Sequence, residues 1–408
     1  MHFVDVQETL DKAHDYMMAE AFGAAANYFY KAVTGNEKSE EAWVGLALST
    51  AMMQSYDDTQ TILARYALKK LPFTEELVVQ ALIVFRENPR ALAEWLRLAL
   101  KSSGIPDKFR QSLPKMAADL ERSFREMVHE FDVDFLEAHG MLPLKDLAER
   151  QLDLDWMMEE PVEEILDTLQ DWIETPETSV MGVRILRYYP HTRSEKMLRR
   201  LCRSEEAKPA AKTHALLSLR WLGVEGNVRV NKFGQSYVVN LDEPSPDLEL
   251  GLPTDFARVV DWVELWIAKE EHIIDQSQFD RLAQDDQKFP EEIADQIHKG
   301  DLPFRLLSIA EKLMHGVYFH YYPELPENLD EKEWGTSLLD LLKKCVDANG
   351  EGWNYTVPSL SEHAANILSE HAANIKEMIV AANPEYTELL EEISARREIA
   401  AEALNNSR

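Results

Sequence analysis

The chain holds 12 histidines, two cysteines and 73 acidic residues, so acid/base, thiol and metal chemistry are the first possibilities to weigh. Cys202 and Cys345 lie far apart, in no metal or redox spacing. They suit a reducing compartment and provide no disulfide framework. His363 and Glu370 are seven apart and could share a helix face, but further ligands at three- or four-residue spacing are missing. His315 and His320 flank Gly316-Val317-Tyr318-Phe319. A five-residue offset turns two ligands away from each other on a helix. The surrounding aromatics predict a helix end packed in the core.

Paired acids recur at Glu159-Glu160, Glu163-Glu164, Asp285-Asp286 and Glu291-Glu292. Adjacent carboxylates on a helix point in different directions, and several of these fall in expected first turns, where they favour the helix dipole. No G-x-S-x-G, P-loop, G-x-G-x-x-G or H-E-x-x-H pattern occurs. The expectation is therefore a protein that is not an enzyme, with no catalytic residue, no cofactor and no metal.

Composition narrows the class further. The 408 residues carry 43 basic against 73 acidic side chains, a net charge of −30. Such a surface repels nucleic-acid backbones and anionic membranes, so neither is expected as a partner. The charge is uneven: residues 1 to 107 account for −5 and the remainder for −25. Met1-His2-Phe3-Val4-Asp5 does not resemble a signal peptide, and the uncharged stretch from Ala42 to Tyr56 is too short and too polar for a membrane span. A cytoplasmic location is expected.

The elements that would position any site are helices, and two sets of them repeat. Phe22, Ala25 and Phe29 are followed 34 residues later by Tyr56, Thr59 and Leu63. Trp43, Leu46 and Ala47 open the second unit, and Ala13 and Tyr16 hold the small and aromatic positions of the first. Small residues let paired helices approach while large ones fill the gaps. Residues 6 to 73 thus resemble two tetratricopeptide (TPR) repeats. A degenerate third unit at about 74 to 107 places Ala81, Trp95, Leu96 and Ala99 only if the turn at Asn88-Pro89 is one residue short.

The TPR resemblance implies a groove lined by the first helix of each repeat. Carried over, it consists of Leu10, His14, Met17 and Met18, then Val44, Leu48, Ala51 and Met52, then Val78, Leu82, Phe85 and Arg86. This set is apolar and methionine-rich, which suits an amphipathic or hydrophobic helix. It lacks the Lys and Asn that grip a chaperone-tail carboxylate. Later helices of the same chain are the other possible occupant.

Further along, Pro176 and Pro209, Leu186 and Leu219, Arg187 and Arg220, Tyr188 and Trp221, and Ile165 and Leu198 are each 33 apart. This frame is similar to the HEAT-type repeat, with a short acidic turn, a proline and a longer apolar helix in each unit. Alternation at Val228, Val230, Tyr237, Val239 and Leu241 around Phe233-Gly234 predicts one β-hairpin over 227–241. Its Arg229 and Lys232 are expected to pair with the acidic loop that follows. Helical patterns then cover about 254–274, 276–299, 302–322, 331–348, 359–381 and 384–404, with Leu-Ser-Glu-His-Ala-Ala-Asn-Ile occurring twice at 360–375.

The fold class expected is an all-α helical-repeat solenoid, TPR-like then HEAT-like, with one small hairpin. Its segments are 1–107 (TPR-like), 108–158 (helical connector or cap), 159–251 (HEAT-like pairs and hairpin) and 252–408 (C-terminal helical domain). The leading functional expectation is a non-enzymatic scaffold or adaptor. The alternative is a peptide-sensing regulator that switches conformation on binding. Third comes a hydrolase with an acid/His site in the C-terminal portion.

Overall fold

The computed structural model describes residues 6–69, 71–86, 88–102, 104–105, 107–130, 133–138, 140–244, 248, 252–283, 293, 296–297, 301–327, 329–349, 365–386 and 390. Apart from one two-stranded sheet, the regular structure of these residues is helical. They fall into two compact units, Met1–Glu243 and Pro244–Arg408.

The first unit opens with α1 (Val6–Met18), α2 (Phe22–Gly35), α3 (Glu40–Met52), α4 (Tyr56–Leu68), α5 (Glu75–Val84) and α6 (Pro89–Leu100). Local signals set the boundaries. Ser39, Thr74 and Asn88 cap α3, α5 and α6 by accepting from the amides of Ala42, Leu77 and Ala91. Glu20 and Gln54 take positive φ in the turns after α1 and α3. Each helix packs on the next, and α1 also touches α3 and α3 touches α5. Short turns make successive helices antiparallel, so α1, α3 and α5 run the same way. Ala13, Ala25, Ala47 and Ala64 are fully buried where the helices meet. An aromatic series, Trp43, Tyr66, Phe73 and Trp95, runs edge to face through the core.

The chain continues through α7 (Asp107–Glu130), α8 (Val133–Ala138), α9 (Leu144–Glu149) and α10 (Trp156–Glu159). Pro114 lies inside α7, which runs through it without ending. α7 lies on α6, while α9 returns across α4 and α6. Two hairpins follow: α11 (Val162–Glu174) with α12 (Ser179–Leu186), and α13 (Thr192–Arg203) with α14 (Pro209–Trp221). α11 packs on α13 and α12 on α14. α12 is shorter than the long apolar helix expected after Pro176, because Thr175 to Thr178 form a turn, with the Thr178 hydroxyl donating to Trp172 O.

Strands β1 (Asn227–Lys232) and β2 (Gln235–Asn240) pair antiparallel, with Lys232 opposite Gln235. Phe233 and Gly234 both take positive φ, the geometry that a two-residue turn of type I′ requires. β1 lies against α13 and α14, which gives the hairpin the support that an isolated one lacks.

Buried polar groups clamp the later helices onto α2 and α4. Arg65 on α4 grips Asp155 with two parallel bonds of 2.9 and 2.8 Å, and donates to the carbonyls of Ala148 and Arg150. The Tyr30 hydroxyl on α2 donates to the same carboxylate at 2.5 Å. Burial works to raise the Asp155 carboxyl, but the bonds from Arg65, Tyr30 and the Leu152 amide hold it below the usual range. In a second cluster, Tyr188 and Ser55 donate to Asp58 at 2.6 and 2.9 Å, and Arg187 donates to Ser55 at 2.7 Å. Asn27 of α2 donates to the Tyr188 carbonyl. At this junction Gly23 packs against backbone: a Cβ there would sit 2.0 Å from Arg187 O.

The second unit is built around α15 (Thr254–Glu270), with α16 (Gln276–Leu282), α17 (Asp301–Tyr321), α18 (Glu331–Asn349) and α19 (Ala365–Ala382). α15 buries Phe256, Val259, Val263, Trp266 and Ile267 against α17 and α18. Gly335 of α18 meets the Trp262 ring, and α19 closes onto α17 and α18 through Ile375 and Ile379. Most of the expected helices at 276–299 and 384–404, and residues 360–364 of the first copy of the eight-residue duplication, lie outside the described residues.

Two predictions follow from the clamp. Gly23→Ala should cost about 3 kcal/mol, because the new methyl group meets backbone on both sides; a urea titration would reveal it as a lowered midpoint. Asp153 supplies the pH test. Burial and the neighbouring Asp58 push its carboxyl up to about 6, against Arg187. A raised folded pKa gives stability that is present below the unfolded value and lost as pH rises through 6. Asp153→Asn should therefore match the native chain near pH 4 and exceed it at pH 7.5, by on the order of 1–2 kcal/mol.

Candidate functional site

α1, α3 and α5 share one side of the first unit, and their exposure is the main feature of that side. The opposite side, formed by α2 and α4, is covered by α9, by the 148–155 segment and by Arg187-Tyr188. On the first side, Met18 is 85% exposed, Leu48 37% and Met52 43%. Met17 is half-buried and Val44 likewise, and the Ser49 hydroxyl of α3 reaches the Met17 sulfur at 3.5 Å. His14 is exposed, 2.7 Å from Glu41, with its ring edge against Phe29. These positions are where the groove was expected.

Three expected groove residues are corrected. Leu10 faces inward and is buried together with Thr9 and Ala13, on the stripe of α1 that packs on α2. Val78 and Phe85 are fully buried, so they belong to the core. Leu82 is half-buried, and Arg86 is exposed just beyond the end of α5. The exposed residues of α5 are Val79 at 44% and Ile83 at 60%. The 34-residue frame from Val44 and Leu48 points to 78 and 82, one residue short of them. The turn Leu71-Pro72-Phe73 sets the shift: Phe73 is buried between Tyr66 and Trp95, and Thr74 then caps α5.

The side chains considered for chemistry are dispersed. Tyr318 and Tyr322 are fully buried, His320 lies edge-on to Tyr321, and burial pushes His315 down, as an aromatic helix end requires. His363 and the acids at 285, 286, 291 and 292 lie outside the described residues. Glu163 and Glu164 occupy the first turn of α11, where Glu163 pairs with Arg193 at 3.2 Å. Both cysteines are buried, and burial raises the Cys202 thiol to about 12, so it stays protonated. Lys232 is buried under the hairpin and donates to Thr213 at 2.7 Å; burial, then Lys212, push it down to about 7. At 2% exposure it meets no substrate. Among the described residues no group of three His, Cys, Asp or Glu could hold a metal ion.

Two clefts open on the first unit. One, of about 540 Å³, lies between the α1–α2 turn and the end of the hairpin, where Tyr16 stacks on Tyr28 beside Lys12, Asp15, Arg220 and Asp242. The other, of about 500 Å³, lies between α11 and α13. Of its cations Arg193, Lys196 and Arg200, the two arginines pair with Glu163 and Glu174, each at 3.2 Å. Neither cleft sets a nucleophile beside a base. No described helix is long and apolar enough to cross a membrane.

The exposed side chains should be dispensable for folding. Met18→Glu and Ile83→Glu are each expected to change stability by less than about 0.5 kcal/mol. Leu46→Ala, fully buried on the inner stripe of α3, should cost 2–5 kcal/mol, roughly the range for such truncations. Thermal melts of the three variants compare the faces directly. No protein-family model, curated protein or solved structure matches this chain.

Proposed function

We propose that the chain is a non-enzymatic helical-repeat scaffold, TPR-like through α6 and HEAT-like over α11 to α14, that holds the amphipathic or hydrophobic helix of a partner protein on the α1/α3/α5 face. One observation carries this reading. The α2/α4 side is closed by polar clamps from the same chain, while the α1/α3/α5 side keeps Met18, Leu48, Met52, Val79 and Ile83 exposed. Single exposed apolar residues are ordinary. A row of them on neighbouring, parallel helices is a surface that gains by being covered. Methionines adapt their shape to a bound helix. The order of packing supports the repeat assignment: within each hairpin the helices pair, and across hairpins α1 meets α3, α3 meets α5, α4 meets α6, α11 meets α13 and α12 meets α14.

The test is a crosslinked pull-down from the native host with the Leu48→Asp/Met52→Asp double variant as control. The variant should keep the native circular dichroism spectrum and melting temperature and lose the bulk of specifically captured protein. An unchanged set of partners on a folded double variant refutes this face as the binding site.

A further inference from the structure

The same face carries a second feature, which deepens the proposed function and rests on it. On each of the three parallel helices, an acidic residue stands seven positions before an exposed apolar one: Asp11 before Met18, Glu41 before Leu48, and Glu76 before Ile83. Seven residues are close to two turns, so the members of each pair share a stripe about 10 Å apart along the axis. Because α1, α3 and α5 run the same way, each acid lies on the N-terminal side of its apolar partner, and the two sets form two bands across the face. Asp11, Glu41 and Glu76 are all exposed. Glu76 is held below the usual carboxylate range by bonds with its own amide and Thr74, so it is charged at neutral pH. No described residue supplies it with a cationic partner. Among the described residues the ion-pair partner of Glu41 is His14. The single cation among the expected groove positions, Arg86, lies beyond the apolar end of α5.

We infer that this two-banded face takes a partner helix with an apolar stripe flanked on one side by Lys or Arg. A helix laid across α1, α3 and α5 would set its apolar stripe on Met18, Leu48 and Ile83. Its flank would then overhang the acidic edge within reach of long basic side chains. Charge decides among the possible occupants. A second copy of this chain would bring another −30 to a rim that is already acidic. A helix with an acidic flank would meet the same repulsion.

Four labelled synthetic peptides of one length test this against the full chain by fluorescence anisotropy. Three share the same apolar stripe and differ in their flank: Lys, Gln or Glu. The fourth has the Lys composition in scrambled order. At low salt the Lys-flanked peptide should bind at least tenfold more tightly than the Gln-flanked one, and the gap should close at high salt. Glu41→Gln/Glu76→Gln should close it as well, leaving the Gln-flanked peptide within twofold. Leu48→Ser/Ile83→Ser, which changes no charge, should weaken both.

Equal affinities for the Lys and Gln flanks, insensitive to salt, would overturn the charge inference and leave the docking face standing. Equally tight binding of the scrambled peptide would reduce the effect to net charge, and the inference would fall. If no peptide binds, or if Leu48→Ser/Ile83→Ser changes nothing, the docking face itself is wrong. Sedimentation velocity of the same samples addresses self-association. A dimer that Leu48→Ser/Ile83→Ser dissociates would assign the face to a second copy instead.

Discussion

The carboxylate of Asp155 decides how the first unit closes. It lies between a guanidinium from α4 and a hydroxyl from α2, and it accepts the Leu152 amide as well. The cost of burying a charge is offset only when its remaining lone pairs are satisfied, as they are here. Such an arrangement adds little net stability over a well-packed apolar one. Its effect is on placement: a segment docked one residue out of step would leave Arg65 and Asp155 buried without each other. Asp58, Ser55, Arg187 and Tyr188 repeat this logic at the start of α4, with Arg187 stacked over the rings of Tyr188 and Trp221. The two clusters fix which side of α2 and α4 is covered, and Gly23 permits the close approach that both need.

Closing that side gives the opposite side its meaning. A helix in a stack has two long faces, and if the chain covered both, nothing would remain for a partner. Here the polar, geometrically demanding contacts are spent internally, and the undemanding apolar ones are left out in solvent. Apolar burial tolerates many partner shapes, while a buried guanidinium–carboxylate pair tolerates one.

Much of this was legible in the residues, and what was not has physical reasons. Helix starts at Ser39, Thr74 and Asn88, and the turn at Phe233-Gly234, are local events written in adjacent residues. The 33-residue echo of Arg187-Tyr188 in Arg220-Trp221 was visible as a pattern. Its use was not, because the partners of Arg187 are Ser55 and Asp58, more than a hundred residues away, and an ion pair leaves no periodic trace. Met18, Leu48 and Met52 are exposed at positions that the 34-residue spacing of the first two units gives. Val79 and Ile83 were missed because one extra turn residue rotates α5 by about 100° relative to a rigid 34-residue projection. Lys232 was expected beside an acidic loop and is buried, because its place on β1 turns it toward α13 and α14.

The net charge of −30 is unevenly placed, since the first 107 residues carry only −5 of it. Alignment matters more than amount. A carboxylate near the start of a helix is favoured by the dipole for reasons of stability alone, so Glu41 and Glu76 need no functional explanation individually. Parallel stacking changes this, because it brings equivalent helix starts to one edge and equivalent helix ends to the other. Two such first-turn carboxylates, Glu41 and Glu76, then stand with Asp11 of mid-α1 on the N-terminal side of the exposed apolar side chains. The parallel run of α1, α3 and α5 that builds the core thereby also gives this surface a direction.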